Sequence, residues 1–226
     1  MNPTIYTIGR GNMPWNFHSA GNDIPKILYV RHDGSDGMIF DESPRKIYVA
    51  IIGTRDPSPQ VEKDVMILIN TLYERYGKDL VTVSGLAIGT DTFVHRYSLQ
   101  KGVPTIAVIG NGVGDRTYPS KNAALAEQIA NTRGCAIVSE YPDGTAPQAL
   151  NFIRRNRIIA AISDVVVVMQ SKAKGGSLVT ARIAYDIDRK VFAYPGRPDD
   201  PMHAGCNTLI KDGVAQIVTD PMDVAI

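Results

Sequence analysis

Arg154-Arg155-Asn156-Arg157 places three guanidinium groups within four residues, immediately ahead of the apolar run Ile158-Ile159-Ala160. Guanidinium is a planar fork of donors that matches phosphate. The cluster belongs to a longer basic segment. Residues 151–182 carry Arg154, Arg155, Arg157, Lys172, Lys174 and Arg182 against Asp164, a balance of +5 in a chain whose net charge is +1. The remaining residues therefore sum to −4. Charge focused in this way marks a local anion site, not a uniformly basic surface.

Helical geometry divides the cluster. Successive residues advance by about 100° on a helix, so Arg154 and Arg157 share a face while Arg155 and Arg157 diverge by about 200°. Either the helix begins after Arg155, which lets both reach one pocket, or one of the two arginines is structural; Arg154 is the expected bystander. Asn156, leading into Ile158-Ile159, is expected to be partly buried as a backbone clamp. Phe152 and Tyr141 are candidates for stacking on nucleobases, although an aromatic at the start of an apolar helix more often belongs to the core.

Three further loops carry the same chemistry. Lys172-Ala173-Lys174-Gly175-Gly176-Ser177 brings two lysines, a glycine pair and a hydroxyl to the start of a helix, where bare amides and the helix dipole favour an anion. Gly53-Thr54-Arg55 combines a close-approach glycine turn with a guanidinium; the turn alone is common in structural loops, and Arg55 is what points to phosphate. Ser84-Gly85 opens a second glycine-bearing loop that enters a helix at Thr90-Asp91. Asp91 and His95 share a helical face and are geometrically able to pair, but no activated serine or cysteine stands at a recognisable spacing.

Several chemistries find no motif. Gly-x-Gly-x-x-Gly does not follow the first core strand, no Walker A sequence occurs, and metal-ligand clusters are missing, so no cofactor and no metal are expected. Cys135 and Cys206 are isolated, which fits a reducing cytoplasm. The N-terminus lacks a basic start followed by an apolar core, and the longest strongly apolar run, Val165 to Met169, is too short to span a bilayer. A non-membrane binding protein, not an enzyme, is the expectation.

The elements that must position these loops follow from periodicity. Nearly continuous apolar runs at Ile47–Gly53, Leu80–Ser84, Thr105–Ile109, Ala136–Ser139, Val165–Met169, Val191–Tyr194 and Gln216–Val218 read as strands covered on both faces. Helical patterns alternate with them at Pro59–Tyr76, Thr90–Lys101, Lys121–Thr132, Phe152–Ile162, Ser177–Asp188 and about Asn207–Asp212. The predicted fold is α/β, a Rossmann-like, doubly wound and mostly parallel sheet, with the anion loops gathered beyond the carboxyl ends of its strands. Residues 46–226 form the expected core domain. Residues 1–45, rich in Gly, Asn, Asp and Pro, are expected to form an irregular extension packed on it with one short strand, Ile27–Val30.

Taken in order, these loops resemble the DNA-processing protein A family (DprA, also called Smf). The matching motifs are Val49-Ala50-Ile51-Ile52-Gly53-Thr54-Arg55, Ser84-Gly85-Leu86-Ala87 with Gly89, Asp91 and His95, Tyr118-Pro119 with Asn122, and Ser139-Glu140-Tyr141-Pro142 with Gly144. They continue through Arg155-Asn156-Arg157-Ile158-Ile159-Ala160, Gly176-Ser177-Leu178-Val179-Thr180-Ala181, Pro195-Gly196, and Gly205 with Asn207, Leu209-Ile210 and Asp212-Gly213. The resemblance implies an extended Rossmann-like domain that binds single-stranded DNA in a basic pocket, dimerises, and helps to load a RecA-type recombinase in recombination and natural transformation. It implies phosphate-binding roles for Arg55, Arg155, Arg157 and the loop around Lys174 and Ser177. Ile88 departs from the family pattern, which has arginine there. The helical N-terminal and winged-helix C-terminal modules of many relatives are not expected within these 226 residues. The alternative reading is a nucleotide-binding or nucleotide-processing protein of the phosphoribohydrolase-like superfamily. Its Pro-Gly-Gly-x-Gly-Thr-x-x-Glu loop, laid on Gly175-Gly176, puts Leu178 at the third glycine and Arg182 at the catalytic glutamate.

Overall fold

Val165-Val166-Val167-Val168 has no polar position because both of its faces are covered. Val165 and Val167 pack on one side of the sheet with Val49, Ile51 and Leu68. Val166 and Val168 pack on the other with Ala50, Ile52 and Ile158. The period of two in a strand thus divides a single apolar run between two cores.

The computed structural model describes residues 4–9, 13, 17, 23–34, 40 and 46–226. Along the chain come β1 (Thr4–Gly9), β2 (Ile27–His32), β3 (Ile47–Ile52), α1 (Pro59–Tyr76), β4 (Leu80–Ser84), α2 (Thr90–Lys101), β5 (Thr105–Val108), α3 (Ala123–Ala130), β6 (Ala136–Ser139), α4 (Ala149–Ile162), β7 (Val165–Val168), α5 (Ser177–Asp186), β8 (Lys190–Ala193), α6 (Ala204–Lys211) and β9 (Gln216–Ile217). Among the described residues these nine strands join one sheet in the order β1-β2-β6-β5-β4-β3-β7-β8-β9. From β6 to β9 every pairing is parallel, whereas β2 runs antiparallel to β6 and β1 antiparallel to β2.

The α/β, mostly parallel architecture is the predicted one. Two boundaries differ in ways that matter. The N-terminal residues supply two strands instead of one, because Thr4–Gly9 pairs in full register with β2, from Thr4 opposite His32 to Gly9 opposite Ile27. Helix α4 begins at Ala149, three residues before the predicted Phe152, which excludes a start after Arg155 and leaves Arg155 and Arg157 both inside it.

The strand order fixes where a ligand enters. From β3 the chain builds outward through β4, β5 and β6, then returns to add β7, β8 and β9 on the opposite side of β3. The carboxyl ends of β3 and β7 therefore flank the switch point, where connections leave in opposite directions and open a crevice.

Candidate nucleic-acid interface

A crevice of about 710 Å³ opens at this switch point. Gly53, Thr54 and Arg55 line it from the loop after β3, and Phe152, Ile153, Arg155 and Asn156 from α4. Lys172, Lys174, Gly175, Gly176 and Ser177 line it from the loop after β7. Arg55, Lys172 and Lys174 are exposed, and none of the three is in an ion pair among the described residues. The start of α5 adds the partial positive charge of a helix N-terminus.

Each loop is held by identifiable bonds. Thr54 O accepts from both Thr90 N (3.2 Å) and Thr90 Oγ1 (3.0 Å), fixing the Gly53–Arg55 turn to the start of α2. Ser177 Oγ donates to Ser171 Oγ at 3.0 Å, and Gly205 N donates to Ser171 O at 2.8 Å, so α5 and α6 together hold the lysine loop. Asn156 is buried and donates to Gly176 O at 3.4 Å, the backbone clamp that its setting implied.

Arg155 reaches the same crevice from behind. It is only 6% exposed, and its Nη1 donates to Gly85 O (2.5 Å) and to Val108 O, at the carboxyl ends of β4 and β5. Its Nε has no hydrogen-bond partner among the described residues. Burial pulls its pKa down to about 10, opposed by the charge of Asp91. Asp91 Oδ2 accepts from Gly85 N (3.2 Å) and Ala87 N (3.1 Å), while Asn122 Nδ2 donates to Leu86 O (2.9 Å) and Ala87 O (3.2 Å). The loop after β4, with Leu86 at φ 59°, is thus fixed by three side chains. Burial pushes the Asp91 carboxyl pKa up, and the neighbouring Arg155 opposes that rise.

The remaining site residues lie elsewhere. Ser84 is fully buried and donates to Ile51 O at 2.8 Å, tying β4 to β3. Gly85 lines a smaller side pocket of about 70 Å³ with Arg55, Ile88, Tyr118, Phe152 and Arg155. Arg157 turns away from the crevice, as about 200° of helix requires. It donates to the Glu140 carboxylate at 3.0 and 2.7 Å and to Asp23 at 3.3 Å. Tyr141 is half-buried and outside the crevice lining. Arg154 is exposed. The Asp91–His95 pairing that their spacing allows does not form: His95 Nδ1 lies 2.8 Å from Thr105 Oγ1, with the ring fully buried.

The sequence names Tyr118 only within the Tyr118-Pro119 family motif and gives it no site role; its ring stacks on Phe152 with centroids 5.1 Å apart and planes inclined by 26°. The available signal was an aromatic in a loop following a predicted strand, which by itself does not distinguish a site from packing. Among the described residues no group of three or more His, Cys, Asp or Glu is placed to hold a metal ion. No helix among them is long and apolar enough to cross a membrane.

Comparison with known proteins accords with this geometry. The family described as DNA recombination-mediator protein A matches residues 4–226. The DNA processing protein DprA of Streptococcus pneumoniae is 43% identical over 211 residues, which cover 93% of this chain and 69% of that protein. Against the longer Smf proteins of Synechocystis and Escherichia coli, the matched region spans 47% and 51% of their lengths. The X-ray structure of the Streptococcus pneumoniae protein superposes with a TM-score of 0.85 at 36% identity, covering 98% of this chain and 73% of that one. The Helicobacter pylori DNA processing protein A, solved for its single-stranded DNA binding mode, gives a TM-score of 0.82 at 31% identity, covering 97% of this chain and 93% of that one. By sequence over nearly its whole length and by fold, the chain belongs to the DNA recombination-mediator protein A family, the DprA/Smf proteins.

Proposed function

We propose that this chain binds single-stranded DNA without catalysing a reaction, taking phosphates of the strand into the switch-point crevice. The observation that carries the reading is the convergence of Arg55, Lys172, Lys174 and the α5 N-terminus on one crevice, with Arg155 at its back. Cations from separate loops track a flexible phosphate backbone, the arrangement found in single-strand binders. The Helicobacter pylori relative, described as binding single-stranded DNA, shares the fold over 97% of this chain. The role extends to recombination and natural transformation: a cytoplasmic homodimer on single-stranded DNA assists a RecA-type recombinase to load. The phosphoribohydrolase-like alternative gains nothing from the geometry, since Arg182, at the position of that family's glutamate, pairs with Asp212 at 3.0 Å and does not line the crevice.

Fluorescence anisotropy with an oligothymidine across a salt series tests this. The logarithm of the affinity falls linearly with log salt, and Arg55→Ala combined with Lys174→Ala weakens binding and lowers the slope by about 1.4, roughly 0.7 per lost phosphate contact on a single strand. Arg157→Ala, whose guanidinium is engaged by Glu140 and Asp23, leaves the slope unchanged. A salt-independent affinity, or a double variant that binds as the parent does, excludes the reading.

A further inference from the structure

Resting on that reading, we infer that Asp91 sets how tightly the crevice holds a strand, by neutralising Arg155 in the free protein and taking up a proton when a phosphate enters. Among the described residues that line the crevice, Asp91 is the one acid, set among the cations Arg55, Arg155, Lys172 and Lys174. A carboxylate in an anion site opposes every phosphate that approaches it. Holding the loop after β4 does not by itself require that charge, since Asn122 grips Leu86 O and Ala87 O of the same loop with a neutral amide.

The acid and Arg155 share Gly85. Asp91 Oδ2 accepts from Gly85 N at 3.2 Å, while Arg155 donates to Gly85 O and packs its guanidinium against the glycine, where an added Cβ would stand 2.6 Å from Nη2. Both side chains are buried, Asp91 at 7% exposure and Arg155 at 6%. A lone guanidinium is costly at such burial, and a carboxylate beside it is the counter-ion that makes it tolerable. The pair is neutral in the free protein, so the net attraction for a strand comes from Arg55, Lys172 and Lys174. A phosphate entering the crevice offers Arg155 a second counter-ion, which leaves two anions to one buried cation. A proton from the buffer, added to the Asp91 carboxylate, removes the excess and ends its opposition to the strand.

The groups facing Asp91 leave this proton to its carboxyl. His95, on the same helix, is fully buried, and burial followed by the Arg155 charge pulls its pKa down to about 3, so it stays neutral. Arg155, from α4, stays charged, since burial brings its pKa down only to about 10 and Asp91 opposes that fall, whereas the Arg55 charge adds to it. The loop after β4 contributes the N–H groups of Gly85 and Ala87, which favour the ionised carboxylate. Lys172 and Lys174 line the same crevice from the loop after β7. Burial outweighs these charges and donors and raises the Asp91 pKa, and a nearby phosphate acts in the same direction. Strand affinity therefore rises as pH falls.

Calorimetry of oligothymidine binding to the parent protein at about pH 6.5, in buffers of different ionisation enthalpy, counts the protons exchanged. Thymine has no group that titrates there. Net proton uptake is expected, with affinity rising as pH falls from about 8 to about 5.5. Asp91→Asn keeps an acceptor for the Gly85 and Ala87 amides and removes the charge. It should bind oligothymidine at least about fivefold more tightly than the parent at about pH 8, a gain of about 1 kcal/mol, with the gap closing as pH falls and the proton uptake lost. A residue that only pins the loop gives a variant that binds equally or more weakly and keeps the pH profile of the parent. That result overturns the inference and leaves the DNA reading standing. Strand binding by the parent without proton uptake does the same, and it requires no variant to fold. An oligothymidine that binds at no pH overturns both.

Discussion

His95 shows how a residue that reads as chemistry becomes a sensor of packing. Its ring is fully buried, with Nδ1 on Thr105 Oγ1 and Nε2 without a hydrogen-bond partner among the described residues. Burial first, and the Arg155 charge second, pull its pKa from 6.5 to about 3. Between these two values the unfolded chain binds a proton that the folded chain does not, so stability is lost as pH falls from 6.5 towards 3. Asp91 acts in the opposite sense. Its folded pKa is raised above 3.8, so its contribution to stability falls as pH rises from 3.8 through the raised value. The two effects separate by substitution. In urea unfolding between about pH 7 and about pH 5, the parent should lose about 2 kcal/mol more than His95→Gln, at about 1.4 kcal/mol per unit. Parallel pH profiles for the two proteins would show that His95 is protonated in the folded state.

At the scale of elements, the strands buried on both faces were legible because an apolar run such as Val165–Val168 has one physical explanation in a chain of this length. Strand β1 was not: its residues are mostly exposed, it carries threonine and ends at Gly9, and only pairing with β2 makes it a strand. The convergence of the loops after β3 and β7 could be read from the alternation of elements together with the switch-point rule. Which arginine of α4 faces the crevice could not, because helical spacing separates Arg155 from Arg157 without showing which face of α4 turns toward the sheet, and no side-chain cap marks its start. Nor could the sequence show that Gly85 O and Val108 O would take up one end of the Arg155 guanidinium. The junction of α2 with the Gly53–Arg55 turn gives an element-scale prediction. Gly89 caps α2 at φ 83° and ψ −128°, and a Cβ there would lie 2.7 Å from the Arg55 carbonyl and from Thr54 O. Gly89→Ala should destabilise by about 1–3 kcal/mol and, by displacing Arg55, weaken strand binding in the same protein. Unchanged affinity in a destabilised variant would mean that the turn moves independently of the anion site.

For the whole molecule, the question is whether the N-terminal residues decorate the core or complete it. The sequence set residues 1–45 apart from 46–226, yet β2 pairs with β6 and so continues the same sheet. Phe17, Leu28 and Val30 are fully buried and Met13 is 5% exposed, all in the cluster shared with Ile158 and Val166. At about 1.5–3 kcal/mol for each buried apolar side chain, these four contribute roughly 6–12 kcal/mol, an upper estimate because unfolded chains already bury some surface. That is comparable with the total stability of about 5–15 kcal/mol expected of a folded domain. Losing β2 also removes the antiparallel partners of Ile137, Val138 and Ser139 and leaves β6, paired only with β5, as a bare parallel-sheet edge, a template for aggregation. The arrangement bears on the site as well. Arg157 of α4 reaches Glu140 at the end of β6 and Asp23 just before β2, so the helix that carries Arg155 is braced partly by the N-terminal segment. The 226-residue chain should therefore unfold in one transition by circular dichroism and by intrinsic fluorescence, and a fragment of residues 46–226 should aggregate or lack a cooperative melt. A fragment that melts within a few degrees of the full chain and binds an oligothymidine with the same affinity would show that the first 45 residues are an appendage.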